Sequence, residues 1–427
     1  MTDIERSTPE SLSQWGGLDW HESAHRLCVV DPTGRTLRTE SFAESPEGFA
    51  DLVACLRKFP ALGGVALEAT RQPVALRLSQ AGVAVYPVNP KQSAAWRKGL
   101  GASEAKDDDR DALALAAGLC MHHERLTPLV PDTELAQELA IVAEDHAHLI
   151  QERTSCVLSL EAVLKLYFRQ VLEWFPDWTN PAAWAFVAAF PGPAELAGAS
   201  KKKLYGFFKT RGLRLTERRQ GLVEGAATAT VEPGQAASAR AYALRAQTLV
   251  RRLQTLQLSL EKYDARLKEL FDQHPDKVLY ESVPGAGDTL EPRLATVFGE
   301  KRERVPSAVV LQELSGVAPV TFRSGKGRPE VRFRWACDKY LRNTMHLFAQ
   351  CTLIRCGWAR AFYDLHRARG DCHALALRKL AGKWLKILYR MWLDHAPYDE
   401  ERYLKSLKKR NSPVWRRLQE QAGLPGG

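Results

Sequence analysis

The sequence predicts an α/β domain in its N-terminal part and a mainly α-helical remainder. Three observations predict it. Short β-prone segments bounded by turn residues crowd into residues 15–90. From residue 132 onward, apolar residues recur at helical 3–4 spacing over long stretches. At 427 residues, with 45% hydrophobic and 26% charged, the chain has the length and composition for two to four globular domains.

The elements follow in order. Residues 1–14 are polar and read as a disordered tail. GGLDWHE, HRLCVVDP and RTLRTESFA read as three sequential strands, with Asp31-Pro32-Thr33-Gly34 as the turn between the second and third. Residues 45–58 read as a helix with Ser45 as N-cap and Glu44 and Glu47 near its positive end. GGVALEA is a fourth strand, 73–81 a helix opened by Pro73, and AVYPVNP a fifth strand. Residues 107–121 form an acidic-headed helix. Three antiparallel strands, then a helix and further strands, is the ribonuclease H-like order.

Residues 132–175 read as one long helix, and 176–235 as a smaller inserted helical region with a basic face, closed by a linker at 226–235. Tyr242, Ala246, Leu249, Leu253, Leu256, Leu260, Tyr263, Leu267 and Leu270 then form a seam at alternating 4–3 steps, the pattern of a coiled coil. That seam fits either a hairpin with residues 132–170 or an oligomer contact. From 279 a new unit begins. SVPGAG resembles a helix-hairpin-helix turn, 308–316 is a helix, GVAPVTFRSGKGR a loop, and 335–395 helical. The division expected is 15–130, 131–275, 276–400 and a basic tail at 401–427.

Asp19 stands in the first strand, Glu68 near the end of the fourth, and Asp108 and Asp111 at the mouth of the acidic helix. Three-residue spacing puts the last two on one helix face, away from Asp107 and Asp109. Carboxylates that end buried strands are costly without a compensating cation. Two strand-borne acids plus a helical acid pair is how phosphoryl-transfer enzymes hold two divalent ions. Helix capping alone explains the helical acids but not the two on strands.

Net charge is +10, which fits a polyanionic partner. The basic residues cluster. One group runs from Lys201, Lys202 and Lys203 to Arg219, and a second covers Arg323, Lys326, Arg328, Arg332, Arg334, Lys339 and Arg342. Further groups lie at 378–390 and 408–417. An acidic site at one end with basic surface elsewhere suits a nuclease-like enzyme with an extended nucleic-acid grip. The eight cysteines form no CxxC pair, and Cys337, Cys351, Cys356 and Cys372 match no zinc spacing. Reduced thiols packed on helix faces are expected. No apolar run of membrane-spanning length occurs.

GLDWHESAHRLCVVDPTGR, ALEAT, YPVNP, Lys106 to Asp111, SVPGAG and GVAPVTFRSGKGR occur in this order. The ordered set resembles the insertion-sequence "one-ten" family of DEDD transposases, related to Piv-type DNA invertases, over 15–125 and 279–395. The resemblance implies a RuvC-like N-terminal domain, a long helical coiled-coil linker and a mainly helical C-terminal transposase domain. It implies Mg²⁺, in a two-ion site, at Asp19, Glu68, Asp108 and Asp111. It also implies a nucleophilic serine at Ser324, flanked by Arg323, Lys326 and Arg328. Implied partners are donor and target DNA, a structured non-coding bridge RNA and further copies of the chain, as dimer or tetramer. The implied location is the prokaryotic cytoplasm, at the nucleoid. Two other classes stay open: a RuvC-like Mg²⁺-dependent junction endonuclease using water, and a non-catalytic nucleic-acid-binding descendant.

Overall fold

The computed structural model describes residues 13–68, 73–100, 107–214, 216–226, 236–323 and 330–423. The chain divides into two compact units, Met1–Asp132 and Thr133–Gly427.

In the first unit, β1 (Gln14–Asp19) pairs antiparallel with β2 (Ala24–Val30), which pairs antiparallel with β3 (Thr36–Ala43). Asp31 Oδ1 accepts from the Thr33 and Arg35 amides and the Thr33 hydroxyl, fixing the β2–β3 turn. After α1 (Pro46–Leu56), capped by Ser45, β4 (Leu62–Leu67) lies parallel to β1. After α2 (Pro73–Gln80), β5 (Val85–Pro87) lies parallel to β4. The sheet order β3-β2-β1-β4-β5 is the ribonuclease H-like arrangement expected from the order of elements. Then come α3 (Pro90–Gly99) and α4 (Asp108–His122).

Strand parity sorts the core into two faces. Leu18, Leu27, Val29, Val65 and Leu67 pack with Leu52, Leu56 and Leu78 of α1 and α2. Trp15, Cys28, Val30 and Ala66 pack with Ala112, Leu115, Ala116 and Leu119 of α4. Gly17 makes the second face possible. A Cβ there would lie 2.2 Å from the Ala112 carbonyl oxygen and 2.3 Å from the Ala116 nitrogen. The α4 backbone therefore rests directly on β1.

The second unit is built on two long helices, α5 (Glu134–Tyr167) and, after five short ones, α11 (Ala236–Asp272). The short helices are α6 (Gln170–Trp174), α7 (Pro181–Ala189), α8 (Pro193–Ala197), α9 (Lys201–Thr210) and α10 (Glu217–Gly225). Arg266 bonds Glu138 at 2.9 Å, His146 meets Asp264 at 2.9 Å, and Arg153 donates to Gln257 at 3.1 Å. Rising numbers on α5 meet falling numbers on α11, so the two run antiparallel. The seam thus pairs within the chain, with Ala246, Leu253, Leu260, Leu267 and Leu270 buried.

The long helix expected over 132–175 stops at Tyr167. Phe168, fully buried, leaves the helical path to enter the core formed by the inserted helices and one end of the α5–α11 pair. Trp184, Phe186, Phe190, Phe207 and Phe208 fill that core. The linker expected at 226–235 falls, after Ala226, outside the described residues.

The other end of the pair packs on the C-terminal helices. These are α12 (Lys277–Glu281), α13 (Gly287–Phe298), α14 (Ala308–Leu314), α15 (Lys339–Arg355), α16 (Gly357–Ala368), α17 (His373–Asp394), α18 (Glu400–Lys409) and α19 (Pro413–Ala422). Between α14 and α15, the segment read as a loop contains β6 (Val320–Phe322), which pairs antiparallel with β7 (Glu330–Arg332) just beyond it. Alternating Val320-Thr321-Phe322 carried that strand signal. The basic tail expected at 401–427 instead forms most of α18 and all of α19 as far as it is described. Leu407 and Val414 enter the main core, with Trp415 and Leu418 packed against it. No described helix is long and apolar enough to cross a membrane.

Candidate active site

Parity places the first two acids. Asp19 follows Trp15 and Gly17 on the α4 face of β1, and Glu68 follows Ala66 on the α4 face of β4. Both stand at the C-terminal ends of adjacent parallel strands. The first turn of α4 brings Asp108 and Asp111 there, because Ala112 sits over Gly17. Asp107 is the N-cap and accepts from the Asp109 amide. Asp109 turns aside to an ion pair with Arg26 of β2. The four sequence-predicted acids therefore converge, and the two set aside do other work.

Their mutual repulsion is visible at Asp19. Its carboxyl is pushed up to about 6, first by burial and then by the charges of Asp111, Asp108 and Glu68, while Arg97 pulls the other way. Asp111 is buried and ion-paired to Arg97. The Ser93 hydroxyl donates to Glu68 Oε2 at 3.0 Å. Arg97 and Ser93, four residues apart on α3, thus hold two of the four carboxylates.

Neither residue was singled out as part of the site from sequence. The signal existed: Asn89-Pro90 is a helix start, and Asn89 indeed caps α3 by accepting from the Lys91 amide. Once that helix is placed, 93 and 97 share a face. Trp96 fixes α3 on α4, since a Cβ at Gly118 would lie 2.1 Å from its ring.

An all-carboxylate oxygen set whose members repel one another has the chemistry a hard divalent cation neutralises. As the side chains stand, with Arg97 on Asp111, no group of three or more His, Cys, Asp or Glu among the described residues is drawn together tightly enough to hold a metal. The residues fit such an ion in kind. Arg97, ion-paired to Asp111 Oδ1, competes with such an ion for that carboxylate.

The second-unit residues named from sequence are spread. Ser324, Lys326 and Arg328 lie outside the described residues. Arg323 is exposed at the end of β6. Arg332 pairs with Glu330 and lies 4.7 Å over the Phe322 ring. Arg334 pairs with Glu313 at 3.1 Å. Lys201, Lys202 and Lys203 are exposed in the first turn of α9.

Comparison with known proteins agrees with this arrangement. Residues 16–169 match the profile of DEDD transposases of the IS110 type, and residues 278–364 match the transposase IS116/IS110/IS902 family. The first match runs on through α5, beyond the boundary expected at 130. The putative transposase of the mini-circle IS117 of Streptomyces coelicolor is 27% identical over 92% of this chain and 97% of its own length. An uncharacterized 42 kDa protein of insertion element IS900 of Mycobacterium paratuberculosis is 25% identical over 90% and 96%. A solved structure of T. thermophilus RuvC with a Holliday junction substrate aligns over 27% of this chain and 99% of that one, at 22% identity and a TM-score of 0.23. That score is too low to bear on the fold, which rests on the strand order. The two profile matches together span more than half the chain, and the chain belongs to the IS116/IS110/IS902 family of transposases.

Proposed function

We propose that this protein is a DNA transposase that cuts and rejoins strands, with divalent metal, Mg²⁺ at two positions, held by Asp19, Glu68, Asp108 and Asp111. The observation that carries the reading is the convergence of these four carboxylates at the ends of β1 and β4, with Asp19 pushed up to about 6. Bound there, divalent ions polarise a phosphodiester and stabilise the departing oxygen. Ser324 is the nucleophile in this reading. Its Oγ–P bond forms as one P–O bond of the strand breaks, and the leaving oxygen takes up a proton. A DNA hydroxyl then attacks the seryl phosphate and rejoins the strand. Arg323, with Lys326 and Arg328, offsets charge on the transferring phosphoryl group. The family resemblance adds a structured non-coding RNA that pairs with donor and target DNA, and action as a homo-oligomer.

The test uses the full chain with its co-purified RNA and DNA spanning a donor end and a target. Wild type should form a denaturation-resistant protein–DNA adduct in Mg²⁺. Ser324→Ala should form none, and Asp19→Asn should lose activity by about a hundredfold or more, as expected when groups stabilising transition-state charge are removed. Cutting by Ser324→Ala with no adduct from wild type would instead assign water as nucleophile.

A further inference from the structure

Beside β7, two arginines lie over one aromatic ring, with a histidine close enough to feel both charges. Arg378 of α17 lies 4.2 Å over the Phe333 ring and Arg342 of α15 lies 5.3 Å from it. His346, one helical turn after Arg342, feels the charge of both. Arg342 Nη1, Arg378 Nε and His346 Nε2 are all buried and have no hydrogen-bond partner. Among the described residues, no carboxylate forms an ion pair with Arg342 or Arg378. Burial and then Arg378 and Arg342 push the His346 imidazole below its ordinary range. Burial likewise depresses Arg378, with Arg342 adding to the effect and the Cys372 thiol opposing it.

Such an arrangement is unfavourable as it stands. Buried donors without acceptors cost free energy, and two neighbouring guanidiniums repel. A tetrahedral oxyanion removes both penalties, because its oxygens accept from several fixed donors at once. The ring beside them says what the anion is attached to. Trp335 meets Phe333 edge-on at 4.8 Å and is 78% exposed, an indole open to solvent beside the ring that the two arginines cover. A flat exposed aromatic beside arginines is how proteins hold an unpaired base and its backbone together.

We infer that Arg342, Arg378 and His346 form a phosphate site for a single-stranded nucleic-acid segment whose base stacks on Trp335. The site is separate from the four carboxylates. It rests on the nucleic-acid part of the proposed function but not on metal or serine chemistry. Its place in the chain is apt: Phe333 follows β7 directly, and β6 and β7 flank Ser324 in sequence.

The experiment is fluorescence anisotropy of a labelled oligothymidylate with the full chain over a salt series, beside thermal unfolding with and without inorganic phosphate. Wild type should bind the oligonucleotide and be stabilised by phosphate. Arg342→Gln with Arg378→Gln should bind about tenfold or more weakly, its salt slope shallower by about 0.7 for each phosphate the variant no longer neutralises. It should also lose the phosphate-induced shift while unfolding no earlier than wild type in phosphate-free buffer. Trp335→Ala, a change at an exposed side chain, should weaken oligonucleotide binding severalfold and leave the phosphate shift intact. Earlier unfolding with unchanged affinity and salt slope would reduce the arginines to packing on Phe333 and overturn the site. A phosphate shift with oligonucleotide affinity unaltered in all variants would make it a pocket for a small free anion and overturn the nucleic-acid assignment. Failure of wild type to bind any oligonucleotide would overturn this inference together with the nucleic-acid part of the proposed function; weakening confined to the variants bears on this site alone.

Discussion

At Asp19 the folded chain holds a carboxyl that releases its proton near pH 6 instead of near the ordinary 3.8. The folded-state value is raised, so the folded form binds more protons than the unfolded one between those values. Well below pH 3.8 the group is protonated in both states and costs nothing. As pH rises toward 6 it destabilises the metal-free fold, surrounded by Asp111, Asp108 and Glu68 with only Arg97 opposing. Asp19→Asn should therefore raise the melting temperature in chelator at pH 7.5, and the gain should shrink as pH falls toward 4. Calorimetric melting at both pH values checks this. Arg97→Ala should act oppositely on the metal-free protein, lowering its melting temperature, because Asp111 loses its counter-ion. The same variant should bind Mg²⁺ about fivefold more tightly, since a screened unit charge at close range is worth ~1 kcal/mol. Of the candidate site, Asp19, Glu68, Asp108 and Asp111 are legible because acids ending apolar strands stand out and the three-residue step puts two acids on one helix face. Arg97 and Ser93 were not, because their role depends on where α3 docks. That is a matter of Trp96 against Gly118, which no local pattern announces.

At the scale of elements, the contact of β1 with α4 sets the spacing of the acids. Gly17→Ala would drive a methyl group into the α4 backbone. It should cost about 1–3 kcal/mol by overpacking, read as a lower urea midpoint, and should weaken metal binding by displacing Asp19 from Asp111. The α5–α11 pair gives a second test. Leu253 is fully buried in it, so Leu253→Ala should cost about 2–5 kcal/mol. The loss should not depend on protein concentration, as it would if the seam joined two copies. The seam itself was legible from its 4–3 steps, but its partner was not, since periodicity describes a face and not what covers it. The end of α5 at Tyr167 was hidden for a similar reason. Phe168 continues the apolar run, and only the aromatic core of the inserted helices draws it out of the helix. The β6–β7 pair is hard to read in sequence because the alternation of Val320-Thr321-Phe322 spans only three residues and is followed at once by a glycine- and lysine-rich stretch.

At the scale of the molecule, the chain divides between Asp132 and Thr133. The first unit carries its own cores on both faces of the sheet. Leu129 closes it by donating its amide to the Val85 carbonyl of β5. A fragment of residues 1–132 should accordingly fold alone, with a cooperative urea transition by circular dichroism; a gradual, uncooperative loss would show that it needs the second unit. The strand order of this unit was readable in advance, because antiparallel hairpins and parallel crossovers leave few ways to join five strands. The packing of 400–422 was not, since a charged stretch conceals the few apolar residues, Leu407 and Val414 among them, that anchor it.

Strand cutting by this protein, as proposed, depends on the four carboxylates taking a divalent ion. Isothermal calorimetry of Mg²⁺ into the full chain, wild type against the combined Asp19→Asn and Glu68→Gln variant, measures this directly. Saturable binding in wild type and its loss in the folded variant is the predicted result. Equal binding by both would contradict it.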